Sequence, residues 1–185
     1  ATNPSSYTFT NIHASHSVNA VYAIDTNVID TTVSGGTITP DATVNYGANQ
    51  TISYNANPGY HLVSVTVDSV DVTSTNPSSY TFTNVTAGHI ISVVYAIDNY
   101  LIDTTVTGGT ISPDATKDYG SSYTVNYSPS LGYHLVSVKV DGINVTLIHP
   151  SSYTFSSIAS NHTISVVYAI DTNTIDTTVT NGTIT

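Results

Sequence analysis

The chain matches itself at a constant offset of 73 residues, and this limits its architecture more than any other feature. Asn3-Pro4-Ser5-Ser6-Tyr7-Thr8-Phe9 returns at Asn76–Phe82 and again, with His in first place, at His149–Phe155. Val21-Tyr22-Ala23-Ile24-Asp25 returns at Val94–Asp98 and Val167–Asp171, and Gly59-Tyr60-His61-Leu62-Val63-Ser64-Val65 returns at Gly132–Val138. No insertion or deletion separates the copies. Such self-similarity marks a tandem array of like modules.

Each copy reads as short strands broken by turns. Asp30–Ser34 is a strand that Gly35-Gly36 bends before Thr37–Thr39. Pro40-Asp41 is a turn, Thr43–Tyr46 and Thr51–Tyr54 are strands, and Asn57-Pro58-Gly59 is a turn. From His61 to Asp68 the alternation puts Val63, Val65 and Val67 on one face. Val140-Asp141-Gly142-Ile143 carries an Asp-Gly hairpin signal, weaker as Asp68-Ser69 in the first copy. Tyr80–Val85 is a strand, and Ile90–Ile97 closes the unit with Ile91, Val93, Tyr95 and Ile97 on one face. Ser, Thr, Val, Ile and Tyr dominate and helix formers are scarce.

No segment has a helical apolar period. The expectation is therefore an all-β chain of small β-sandwich-like repeat domains of 73 residues in a rod. The repeat boundary falls near the Ala-Ile-Asp step. Full repeats then span 25–97 and 98–170, residues 1–24 are the C-terminal strands of a preceding repeat, and 171–185 are the first strand of a following one. This predicts a segment of a longer array, or chains that complement each other's ends by strand addition. With no Gly/Ser linker the units should hold a restricted angle, at about 30–40 Å per unit. Tyr22, Tyr46 and Tyr54 with their copies are expected half-buried, hydroxyls in water.

The formal net charge is −10, with two Lys, no Arg and no Glu. That charge excludes nucleic acid and anionic membranes as partners, and no apolar run reaches the length of a membrane span. With no Cys, disulfides, thiolate metal sites and Cys nucleophiles are excluded together.

Gly108–Asp114 (GGTISPD), Asp118-Tyr119-Gly120, Gly132–Gly142 (GYHLVSVKVDG), Ser152–Phe155 and Asn161–Val166 resemble the divergent internalin-type B-repeats, which occur in tandem in surface and secreted proteins of bacteria and some archaea. The resemblance covers essentially the whole chain. It implies extracellular stalks, spacers and adhesin-like arrays, carries no catalytic residue to transfer, and implies a β-grasp-like fold with a short helix.

Of the seven His, five recur, as His16/His89/His162 and His61/His134. Recurrence is what a folding module produces, and no nucleophile-elbow or His-Glu-x-x-His motif is present. No enzyme and no cofactor are expected. Asp98 and Asp103 flank the joint and are the weak candidates for a cation site, against the plainer role of Asp in capping turns and keeping edges soluble. Asn-x-Ser/Thr sites at Asn49, Asn84, Asn126, Asn144, Asn161 and Asn181 are glycosylation candidates, set against chance in a chain rich in these residues. Tyr100 and Tyr123, which have no copies, are candidate sugar platforms.

The reading is an extracellular or cell-surface structural repeat protein forming a semi-rigid stalk or fibre, self-associating end to end or continuing within a longer chain. The alternative is an adhesin-type module that binds glycan or a surface.

Overall fold

The computed structural model describes residues 6–178 and 180–183. The described residues contain sixteen strands and no helix. In the first repeat they are β1 (Thr26–Ser34), β2 (Gly36–Ile38), β3 (Ala42–Asn45), β4 (Gln50–Ala56), β5 (Tyr60–Val67), β6 (Val70–Asp71), β7 (Ser79–Phe82) and β8 (His89–Ile97). The second repeat returns them in order as β9 (Asn99–Thr107), β10 (Gly109–Ile111), β11 (Ala115–Asp118), β12 (Tyr123–Pro129), β13 (Tyr133–Val140), β14 (Ile143–Asn144), β15 (Ser152–Phe155) and β16 (His162–Ile170).

Each repeat is a sandwich of two sheets. The larger is mixed, in the order β3-β1-β8-β5-β6, and the smaller is antiparallel, β2-β4-β7; β9–β16 repeat both orders. The first and last strands of a repeat, β1 and β8, lie side by side and parallel at the middle of the large sheet, and every other pairing is antiparallel. Where the resemblance implied a short helix, the small sheet supplies the second layer.

Alternation explains how these strands share a core. Ile52 and Tyr54 of β4 face inward from the small sheet, and Ile29, Val65, Val67, Ile91, Val93 and Tyr95 from the large one, all at most 6 % exposed. Thr51, Ser53 and Asn55 of β4 alternate with them and point to water, whereas the outer face of the large sheet also carries apolar Val28, Ile90 and Val94. The second core, around Ile102, Val125, Tyr127, Val138, Ile164 and Val166, shares no residue with the first.

The chain passes from the large sheet to the small one at Gly35. Its φ is +72°, and a Cβ there would lie 2.7 Å from the Tyr60 ring and from the Tyr95 carbonyl oxygen. Backbone angle and crowding both require glycine at this corner. Gly108 repeats it against Tyr133 and Tyr168.

Three local expectations are corrected. Val63 does not share a face with Val65 and Val67. A bulge between Leu62 and Ser64 turns Leu62 inward and leaves Val63 half exposed, and Val136 repeats this. The strand expected over Tyr80–Val85 ends at Phe82. Asn84 then adopts a positive φ of 49°, and Val85 reaches the core from the turn, fully buried. Tyr54 is 1 % exposed, and its hydroxyl donates to the Asn76 carbonyl at 2.5 Å rather than reaching water; Tyr127 does the same to His149 at 2.6 Å.

Residues 6–25 and, among the described residues, 171–183 carry no strand. Their counterparts in the full repeats are held between neighbours: β8 lies between β1 and β5, and no such pair flanks residues 16–24. The local aromatic packing of the repeat is nevertheless kept. Tyr7–Phe9 and Phe9–His16 have ring centroids 4.9 and 5.0 Å apart, as Tyr80–Phe82 and Phe82–His89 have at 4.8 and 4.9 Å.

Candidate functional site at the joint between repeats

A single residue, Asp98, separates β8 from β9, and it is bonded to both repeats. Its N–H donates to the Gly59 carbonyl of the first repeat at 2.8 Å. Its own carbonyl accepts the Tyr119 N–H of the second repeat at 2.8 Å. Its carboxylate Oδ1 meets His61 Nδ1 at 2.7 Å. A link of one residue has few soft dihedrals, and fixing both of its peptide groups removes most of their freedom.

Side chains close the same joint. The ring of Tyr119 lies over Gly59, where any Cβ would collide with it; Gly59 has φ +75°. The sequence places Gly at this turn and Tyr after β11 in every copy, so the contact can recur between successive repeats.

Each half of the joint is formed independently of the other. Asp171 donates its N–H to the Gly132 carbonyl at 2.7 Å and bonds His134 Nδ1 at 2.8 Å. At the other end, the Asp25 carbonyl accepts the Tyr46 N–H at 2.8 Å. Gly132 has nothing within 4 Å of the site of a Cβ, and Tyr46 is 56 % exposed. The complete joint at Asp98 is the sum of these two halves.

Four other Asp residues hold turns. Asp41 Oδ1 accepts the Thr31 N–H and hydroxyl at 2.8 and 3.1 Å, and Asp114 does the same for Thr104 at 2.8 and 3.0 Å. Asp68, at the β5–β6 turn, accepts the Ile90 N–H at 2.9 Å and meets His89 Nδ1 at 2.6 Å; these bonds hold its carboxyl below the ordinary range. At Asp141 burial opposes the shift, yet the bonds from Thr163 and His162 outweigh it and the net direction is again downward.

The structure does not bring Asp98 and Asp103 together. Asp103, itself exposed, lies five residues further on within β9, which is about 17 Å along a strand and on the opposite face. Among the described residues no cluster of three or more His, Cys, Asp or Glu could hold a metal ion.

All six sequon Asn are exposed. The amide oxygens of Asn49, Asn144 and Asn161 accept backbone N–H groups of Asn84, Thr146 and Leu101 at 2.8, 3.0 and 2.8 Å. Asn126 lies on the outer face of β12, and Asn84 and Asn181 occupy positive-φ positions. Tyr100 and Tyr123 are not open platforms: both pack against the second core, and the Tyr123 hydroxyl donates to the Pro113 carbonyl at 3.1 Å beneath the Lys117 ammonium, 4.5 Å from its ring centre.

Comparison with known families agrees with this repeating unit. A family model described as the divergent InlB B-repeat domain matches residues 26–99 and again residues 100–172. The chain belongs to this family. B-repeats of this kind are structural domains typical of surface proteins, consistent with an extracellular repeat protein. No curated protein matches the chain.

His61 and Tyr119 were the joint residues that sequence reasoning passed over. Their signal was available, since Asp98, Gly59, His61 and Tyr119 all belong to recurring positions, but the offset gives no indication that they meet.

Proposed function

We propose that these B-repeats form a structural extracellular spacer, a stalk or fibre segment that holds its ends at a set distance, with no catalytic role. The observation that carries this reading is the one-residue joint at Asp98, whose N–H, carbonyl and carboxylate are all engaged, two by the first repeat and one by the second. A flexible tether would need the opposite: a longer, unbonded, Gly/Ser-rich link. Self-association end to end, or continuation in a longer chain, would extend the same joint through Gly132 at one side and Tyr46 at the other. Small-angle scattering tests the reading against a variant with a flexible Gly-Ser insert between Asp98 and Asn99. The native chain is expected to give a profile fitted by one arrangement of the two repeats, and the insert variant a profile needing an ensemble. Superimposable profiles would overturn it.

An adhesin-type role has one observation in its favour. The second repeat exposes Leu147 (99 %), Ile148 (73 %) and Ile143 (69 %) beside Val136, where the first has Ser74, Thr75, Val70 and Val63. Saturable binding to an extracellular glycan or surface that is lost in Leu147→Ser/Ile148→Thr would favour this reading.

A further inference from the structure

We propose that the parallel pair β1–β8, and its copy β9–β16, is a force-bearing clamp that lets each repeat resist tension along the chain. The biological use of such a clamp rests on the reading of the chain as a structural segment held between two points.

The geometry follows from where the chain enters and leaves a repeat. It enters at the start of β1 and leaves at the end of β8, and these two strands are direct neighbours running in the same direction. Tension therefore draws β1 backward and β8 forward along their common axis. The ladder between them spans six register pairs, from Ile29↔His89 to Ser34↔Val94. Sliding the strands loads the bonds of that ladder together. Pulling the same strands apart from one end would load them one after another. Rupture under load is governed by the barrier to unfolding, and a barrier that requires several bonds to fail at once is the higher one.

The surroundings favour the same outcome. β5 pairs along the free side of β8, whereas β3 pairs with β1 over Thr26–Ile29 and so meets the ladder only where it begins. Ile29, Ile91 and Val93, on the inner face of the pair, are 0 % exposed. Water is therefore shut out from the inner side of the ladder, where a backbone group that loses its partner is left unsatisfied. Strands β2–β7 lie between the two ends in sequence but outside the load path, which runs through the clamp alone until it fails. The second repeat has an equivalent six-pair ladder, Ile102↔His162 to Thr107↔Val167, and only Asp98 lies between β8 and β9, so one clamp passes load to the next without slack.

Single-molecule pulling with two attachment geometries tests the clamp. The native chain has no Cys, so introduced ones are unique. Thr26, Ala87 and Thr172 are exposed positions suited to handles. Pulling Thr26→Cys/Thr172→Cys shears both ladders. It should give two discrete events, each releasing about 240–260 Å of contour less the folded length. Pulling Thr26→Cys/Ala87→Cys takes β1 and β8 from the same end and should open the first repeat at a clearly lower force. Circular dichroism of each variant establishes that it is folded before pulling. Equal forces in the two geometries, or gradual extension without discrete events, would overturn the clamp. These outcomes are separable from the spacer reading: a strong clamp in a chain whose repeats reorient freely in scattering overturns the spacer alone, whereas equal forces with a fixed joint overturn the clamp alone.

Discussion

The ring of Tyr119 covers Gly59 so closely that no side chain fits at position 59, and these two residues belong to different repeats. Their contact stands beside a backbone link of one residue, Asp98, that is bonded in both directions. The joint therefore has a steric part and a hydrogen-bonded part, and each can be altered separately.

Gly59→Ala and Gly132→Ala separate backbone strain from the joint itself. Both glycines have positive φ, +75° and +80°, and only Gly59 has a neighbour that a Cβ would strike. Each substitution should cost its own repeat about 1–2 kcal/mol through the left-handed backbone. Gly59→Ala should in addition change the scattering profile, and Gly132→Ala should not. Thermal unfolding together with scattering of the two variants checks this.

The two cores are independent, so damage should stay local. Ile91 is fully buried in the first core. Ile91→Ala should destabilise the first repeat by about 2–5 kcal/mol and split the calorimetric transition in two, with the second repeat melting near its original temperature.

The β5–β6 turn has a non-glycine at its second positive-φ position in one copy only. Asp68 and Ser69 have φ of 48° and 69°, and the second copy has Asp141 and Gly142 at 49° and 81°. A turn with two positive φ values favours Asp-Gly. Ser69→Gly should stabilise the first repeat by about 1 kcal/mol, and Gly142→Ser should destabilise the second by a similar amount, read from denaturant midpoints.

Alkaline pH should unfold the repeats through their buried tyrosines. Burial first, and then the neighbouring Tyr168, push Tyr127 up to about 12, and burial with Tyr95 raises Tyr54. A phenol whose folded pKa lies above its unfolded value of 10.0 stabilises the fold fully below that pH. This contribution is lost as pH rises from 10 towards 12. Urea midpoints should therefore be flat from pH 8 to near 10 and fall above it. Tyr127→Phe should reduce the fall in the second repeat while losing the bond to His149, at a cost of about 1 kcal/mol.

Much of this fold could be read from the sequence. The Gly35-Gly36 corner, the Asn57-Pro58-Gly59 turn and the inward Ile91, Val93 and Tyr95 follow from local chemistry and period-2 alternation. Val63 did not, because a bulge reverses the alternation without any change in residue type. The parallel placement of β1 beside β8 was also hidden, since it joins residues about 60 positions apart and strand patterns carry no partner information. The joint was half legible. The absence of a linker pointed to restriction, while the meeting of Gly59 with Tyr119 and of His61 with Asp98 depends on how two folded units dock.

The most direct measurement is the distance distribution between spin labels at Thr43→Cys and Thr116→Cys, exposed and equivalent positions in the two repeats. A joint fixed at Asp98 predicts one narrow peak that broadens when the Gly-Ser insert follows Asp98. A distribution already as broad in the uninterrupted chain would contradict the fixed joint and the spacer built on it.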